Sequence, residues 1–277
     1  MSKKGWVEVA KNALEIVNLN LISAPGNTDQ VLQSELIKIA TAKKNAIAIL
    51  DIPRTLNVSQ AAQYIKNFNS KFAAFYYPYV NSISDKTILP PSAIIPGYIA
   101  HVDTAKGIYK TPAGSDPIKF VGTPEINLTQ MDIDHLVQSS VNLILPISKN
   151  TSKVWGARTA TFETTEFKYI SPMRTYYHLQ QSIYKNMDWV VFEPNDIQTW
   201  NAIRQSIYNF LTNVWRKGYL LGTNTNEAFF VKVDQTTTSQ NDIQNGILNA
   251  YVGFAITMPA EFSISKITWK VSTPLDE

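Results

Sequence analysis

The chain has 277 residues, 44% of them apolar and 11% aromatic, with a net charge of +3. That is enough chain for the core of one large domain or two ordinary ones, and it excludes a disordered polymer. Charged residues make up only 17%, against roughly 25% in ordinary soluble domains, and amides and hydroxyls fill the polar positions instead. Such a surface suits packing against other subunits, although abundant polar loops give the same figure. The small charge and the lack of any Lys/Arg run longer than two residues argue against a nucleic-acid partner. No cysteine is present, which excludes disulfides, thiolate metal sites and a cysteine nucleophile. The opening MSKKGWVEVAKNAL has no signal-peptide core, and no stretch approaches ~18 apolar residues. The chain is expected to be made in the cytoplasm, without inserting into a membrane.

In chain order, residues 17–22 (VNLNLI) read as a buried strand, followed by a turn at Pro25-Gly26. Thr28 or Asp29 caps a helix whose apolar positions are Val31, Leu32, Leu36, Ile37 and Ile39. Residues 46–50 form a second strand, 59–68 a second helix and 72–76 a third strand. This β-α-β-α-β order predicts a parallel α/β layer. Residues 77–124 change texture, with prolines at 78, 90, 91, 96, 112, 117 and 124. A helix from Pro91, ended by Gly107, fits within them, and residues 111–123 read as loop. A short helix follows over 129–137, capped by Thr129, then strands over 141–147 and 154–159 and a helix over 173–186.

Residues 187–234 form the clearest unit. A short apolar strand is expected over 189–192, stopped at Pro194. Asp196 then caps a helix in which Ile197, Trp200, Ile203, Ile207, Phe210, Leu211, Val214 and Trp215 recur at helical spacing. Gly218 ends it after Arg216 and Lys217, and a strand spans 228–233. A polar turn (235–245) leads to a long strand (246–258). After Pro259, residues 262–271 (FSISKITWKV) alternate strictly, as a last strand before a free tail (272–277). The expected fold class is α/β, α+β overall: a parallel-type β-α-β layer, then an α+β domain ending in an extended strand arm. The domains are expected at 1–160 and 161–277, with the irregular segment at 77–124 and the arm at 261–271.

Little of this carries chemistry. Neither GxxxxGK[ST] nor GxGxxG is present, and Gly26 stands alone, so a phosphate loop is rejected. His101, His135 and His178 have no partners at metal-ligand spacing, and no G-x-S-x-G elbow occurs. Asp132 with Asp134 fits a helix start, and Glu163 with Glu166 a surface turn. No catalytic residue, metal or cofactor is expected. Arg158 and Arg174 stand in aromatic and apolar company, where an arginine needs carboxylate or carbonyl partners; a structural ion pair and a subunit contact both fit.

Several segments together resemble the tail sheath proteins of contractile phages and related bacterial contractile injection systems. They are PPSAIIPGYIAHVDTAKGIYKTPAG (90–114), VWGARTAT (154–161), FKYISPMR (167–174), WVVFEPND with the following W, FL, W and G (189–218), EAFFVKVD (227–234) and GFAITMPAEFSISKITW (253–269). Their order and spacing cover roughly residues 16–269. Sheath subunits usually begin with an extended arm of some twenty residues; here that arm is missing or reduced to residues 1–9. Where the family often has paired arginines after the Tyr-Ile segment, only Arg174 follows Pro172-Met173.

The resemblance implies a non-enzymatic subunit that polymerises around an inner tail tube and contracts by subunit rearrangement. Its implied partners are other copies or sheath paralogues, the tube protein, and the baseplate and tail terminator proteins. Its implied place is the virion tail, assembled in the bacterial host cytoplasm. The resemblance also implies that the terminal strand, with Glu261, Phe262, Ile264, Ile267 and Trp269, is given to a neighbour. Candidate structural or subunit contacts are Arg158, Arg174, Trp189, Trp200 and Trp215; candidate tube contacts are Lys185, Arg204, Arg216 and Lys217, for which a solvated helix face fits as well. The alternatives are a sheath-like baseplate or terminator protein, an injection-system sheath paralogue or, in a different class, an α/β nucleotide-binding enzyme.

Overall fold

The computed structural model describes residues 19–85, 87–119, 121–148, 150–163, 166–256 and 263–270; for residue 166 and residues 263–270 it describes the backbone. The chain divides into two compact units, Met1–Arg174 and Thr175–Glu277.

In the first unit, β1 (Leu21–Ser23) leads through a Pro-Gly turn to α1 (Gln30–Lys43). Asp29 caps α1 by accepting from the amides of Val31 and Leu32, two of the donors a helix start leaves unpaired. Then come β2 (Ile47–Asp51), α2 (Val58–Tyr64) with a 3-10 turn after it, β3 (Ala73–Tyr77), β4 (Val80–Ser82), β5 (Ile88–Leu89), α3 (Pro91–Lys106), β6 (Pro117–Ile118), β7 (Val121–Pro124), α4 (Gln130–Gln138), β8 (Asn142–Ser148) and β9 (Thr151–Trp155). The main sheet has the order β1-β2-β3-β8-β9-β6, parallel through β8 and antiparallel beyond it. Every residue of β2 and β3 is buried, as expected for parallel strands covered on both faces. A small antiparallel sheet, β5-β4-β7, packs through β7 against β8 and β9, where the Ser152 hydroxyl donates to the Gly122 carbonyl (2.6 Å).

The expected parallel layer is therefore present, with differences in detail. Val31, expected in the core, is 74% exposed, while Gln33 is fully buried. The Gln33 amide donates to the carbonyl of Asp51 (2.8 Å) and accepts from the Tyr64 hydroxyl (2.8 Å), so its polarity is satisfied inside. Residues 111–123 are not all loop, since they hold β6 and most of β7. Prolines fit there because both lie in short outer strands, where a missing N–H is tolerated. The strand expected at 154–159 instead occupies Thr151–Trp155. Gly156, at φ +113°, turns the chain away, and the buried Asn142 side chain takes over the bonding, accepting from the Arg158 amide (2.6 Å) and donating to the carbonyls of Phe75 and Arg158. Residues 17 and 18 of the expected first strand lie outside the described residues.

The helix α5 (Ile170–Lys185) carries Pro172 in its first turn, where its missing N–H costs nothing. In the second unit it is followed by a 3-10 turn (Asp188–Phe192), α6 (Ile197–Arg216), α7 (Thr225–Ala228), β10 (Phe229–Lys232), α8 (Gln240–Gln244), β11 (Ile247–Phe254) and β12 (Ser263–Lys270). The strand expected at 189–192 is a 3-10 turn: only Val190 is fully buried, while Trp189 and Phe192 are 43% and 85% exposed. Although it touches β12, this short apolar run pairs in no strand ladder among the described residues. The polar turn at 235–245 contains α8, started by a capping box between Ser239 and Asp242.

Three strands form the second unit's sheet, in the order β10-β11-β12 and antiparallel throughout. Its core joins one face of α6, through Trp200, Ile203, Ile207, Leu211 and Val214, to Leu248, Ala250, Val252 and Phe254 of β11. The Trp200 indole N–H donates to the Asn195 side chain (2.8 Å) and that of Trp215 to the Gly222 carbonyl (2.9 Å), so the buried Trp200 and the half-buried Trp215 both keep a polar partner. Gly222 itself is required. Its φ is +113°, and a Cβ would stand 2.9 Å from the amide nitrogen of Ala228.

Candidate subunit-contact site

β11 lies in the middle of its sheet and pairs with β12 over eight residues, from Phe254 opposite Ser263 to Ile247 opposite Lys270. Among the described residues, β12 has a strand on one side only, which leaves a row of backbone donors and acceptors at its outer edge. In register, Ile264 stands opposite Gly253, Ile267 opposite Ala250 and Trp269 opposite Leu248. On its other side Gly253 is covered by the Phe230 ring of β10, which a Cβ at that position would strike. Glu261 and Phe262 lie outside the described residues, as do the expected strand ends at 257, 258 and 271 and the tail at 272–277. The terminal strand is thus held by its own chain's β11.

The two arginines have separate structural bonds in the first unit. Arg174, 4% exposed in its side chain, makes a two-pronged pair with Asp103 of α3, at 3.0 and 2.6 Å. This fork geometry suits a buried guanidinium. Arg158 donates to the Val137 carbonyl (2.8 Å) at the end of α4 and lies over the Tyr169 ring at 5.9 Å. A cation there complements the negative end of the helix.

Of the three tryptophans expected as contacts, Trp200 is buried in the α6–β11 core and Trp215 packs partly against it, while Trp189 is half exposed. Lys185, Arg204, Arg216 and Lys217 are all exposed. They do not converge: Arg204 and Arg216 are twelve residues apart on α6 (a separation of ~18 Å along the axis), and Lys185 ends a different helix. Arg204 donates to the Asn201 side chain (2.7 Å). The outer face of α6 carries an amide row at Asn201, Gln205, Asn209 and Asn213, with Gln205 donating to Asn209 (2.9 Å).

One feature of the first unit was not anticipated from sequence. Asp51, 1% exposed at the end of β2, accepts from the Ser92 amide (2.7 Å), the Ser92 hydroxyl (2.6 Å) and the Gly26 amide (2.9 Å). Pro91, the first residue of α3, has no N–H, so Ser92 carries the first free donor of that helix, and Asp51 caps it from a neighbouring strand. Burial pushes the Asp51 carboxyl above its ordinary value, and the Ser92 and Gly26 bonds pull it part of the way back. The signal lay in the Asp-Ile-Pro strand end together with the proline at the helix start, since an uncapped buried helix start needs an acceptor. Among the described residues, no three His, Cys, Asp or Glu side chains gather as a metal site.

The model for the phage tail sheath protein central domain matches residues 5–160, and that for the phage tail sheath C-terminal domain matches residues 163–268. The chain belongs to the phage tail sheath protein family. A Pseudomonas aeruginosa (strain UCBPP-PA14) protein described as a prophage major tail sheath protein is 23% identical over 249 residues, which are 87% of this chain and 62% of that protein. This chain therefore spans less than two thirds of that relative's length. A chain of the contracted-state sheath complex of an extracellular contractile injection system superposes with a TM-score of 0.82 at 26% identity, covering 98% of this chain and 75% of that one. A chain of the anti-feeding prophage baseplate gives 0.79 at 27%, covering 96% and 73%.

Proposed function

We propose that this chain is a structural subunit of a contractile sheath, polymerising around an inner tube and shortening by rearrangement of its subunits. The observation that supports this most is its likeness, over 98% of its length, to a subunit of a sheath in the contracted state. Its partners on this reading are further copies or sheath paralogues, a baseplate, an inner tube protein and a terminator. Its place is the tail of a phage or injection particle, assembled in the host cytoplasm. The work is mechanical and non-enzymatic. The free energy of contraction is stored in a metastable extended lattice, and small gains per subunit add over many copies.

The terminal strand gives this reading its linkage. β12 holds its own β11 through a ladder of eight residue pairs. Passing β12 to an identical neighbour replaces that ladder residue for residue, so the exchange costs little hydrogen-bonding energy. A ladder made in trans lets rigid units rotate while staying connected, and their other contacts are exchanged for better ones. On this proposal Ile264, Ile267 and Trp269 are inter-subunit residues. Lys185, Arg204, Arg216 and Lys217 remain the proposed tube contacts, weak and polar enough to release.

Negative-stain microscopy of the purified chain tests this, alongside a chain lacking residues 261–277 and an Ile267→Pro variant. Tubes or rings are expected from the full chain alone. Equal assembly by all three removes the strand from the account, and a full chain that stays monomeric at high concentration removes self-assembly.

A further inference from the structure

Residues 245 and 246 are the chain's one Asn-Gly pair, and they join α8 to β11 in the second unit. Asparagine can close a ring on the backbone nitrogen of the residue that follows it, and glycine, with no Cβ, shields that nitrogen least. The two groups are neighbours in the chain, so the fold has only to leave them room to move. Gly246 stands at φ +63°, in the left-handed region where a helix end favours glycine. The turn that stops α8 is thus what sets a glycine after Asn245.

Asn245 is exposed, at the end of a helix of five residues. Its side-chain amide donates to the Asn241 carbonyl (2.6 Å), and the Gly246 N–H donates to the Ile243 carbonyl (3.0 Å). Both bonds belong to the last turn of α8 and are released when it opens. A lone helical turn is marginal, and α8 has no buried residue to anchor it, so it opens at less cost than the ladders of β11 behind it. Asparagine also precedes a small residue, serine, at 69 and 81, and there strand structure holds it. Ser70 bridges to Ala160, and the Asn69 side chain accepts from the Phe162 amide (3.1 Å). Asn81 lies within β4 and donates to the Thr123 carbonyl (3.1 Å).

We propose that Asn245 is a site of self-modification in the folded chain, converted with Gly246 to aspartyl and isoaspartyl forms that loosen the head of β11. The Gly246 nitrogen gives its proton to water or hydroxide and bonds to the side-chain carbonyl carbon of Asn245. The C–N bond of the side-chain amide breaks, and ammonia leaves. Water then opens the five-membered imide at either carbonyl. One opening gives aspartate; the other gives isoaspartate, in which the main chain runs through the side chain and is one methylene longer. The balance is ammonia lost and water gained, with no other reactant. The added length falls just before Ile247, which begins the β11–β12 ladder opposite Lys270 and whose carbonyl accepts from the Asn195 side chain (3.0 Å). The proposal holds whether or not β12 is exchanged between copies.

In the test, the full chain is held folded in mildly alkaline buffer for days, sampled, digested and its peptides weighed; a sample unfolded in urea gives the rate with α8 absent. Conversion of amide to acid at Asn245 in the folded chain is expected at least about five times faster than at Asn69 or Asn81, in two chromatographic forms. Asn245→Gln, which would have to close a six-membered ring, is expected to show none at this position. The modified chain is then separated by charge and its hydrogen exchange measured. Exchange is expected to be several-fold faster than in the parent at Ile247 and unchanged at Phe254, the far end of the ladder. Conversion at Asn245 confined to the urea sample, a folded rate no higher than at Asn69 or Asn81, or parental exchange at Ile247 in the modified chain overturns the proposal.

Discussion

At the scale of single residues, the buried polar groups of the first unit carry the sharpest consequences. Removing Asp103 leaves the Arg174 guanidinium buried without its two-pronged partner, and an orphaned buried charge costs about 3–5 kcal/mol. Asp103→Ala is therefore expected to lower stability by that amount in urea denaturation, and an unchanged midpoint would mean that the pair contributes nothing. Asp51 makes a claim about pH. Its native carboxyl is raised above 3.8, so between that value and its native one the folded state holds more protons than the unfolded. Its contribution is fully present below 3.8 and is lost as pH rises through the native value. The carboxylates held low at helix caps and turns act in the opposite sense: Asp132, beside Thr129, and Glu227, beside Thr223, lose their contribution as pH falls. Chemical denaturation across the acid range is expected to give Asp51→Asn a steeper rise of stability with pH than the parent chain, because the opposing slope is gone. Parallel curves would exclude the assignment. The Asp103–Arg174 pair was not legible in the sequence, because the two are 71 residues apart and only the packed fold brings them together.

At the scale of elements, the sequence was a better guide where a pattern was long. The twenty residues of α6 repeat their apolar positions through five turns; Asp196 caps the helix as read, and Trp200, Ile203, Ile207 and Leu211 fall on the buried face, whereas Ile197, expected there too, is 58% exposed in the first turn. Ile207→Ala is expected to cost about 2–5 kcal/mol because it opens a cavity at a fully buried site. Gln205→Ala, two residues away on the outer amide row, is expected to change stability by less than about 0.5 kcal/mol. Thermal melts of both variants check the contrast. Short patterns failed for physical reasons. Trp189-Val190-Val191-Phe192 has strand-forming residues but pairs with no strand among the described residues, and it turns instead. The capping box of Ser239 and Asp242 was visible in the sequence, but a five-residue helix has too few apolar positions to announce itself. Val31 and Gln33 exchange their expected places because Asp51 and Tyr64 supply Gln33 with partners, a tertiary fact that periodicity does not encode.

At the scale of the whole molecule, the central claim is that β12 connects subunits. The order and spacing of the motifs pointed to the sheath family, and the family comparison bears that out across both matched domains. The residue assignments are a separate matter: the register of β12 on β11 is fixed here within one chain, and exchange between chains is the step that makes it an assembly device. The most direct measurement uses two versions of the cysteine-free chain, one carrying Tyr251→Cys and a size-tagged one carrying Lys266→Cys, positions that face each other in the β11–β12 register. Neither version alone can form this bridge within a chain. The two are assembled together, oxidised and resolved by size. If β12 is donated, a mixed 251–266 dimer of intermediate size dominates the assembled fraction and is lost when Ile267→Pro is added to the tagged chain. If assembled subunits yield no mixed dimer, β12 stays on its own β11 and the linkage account is wrong.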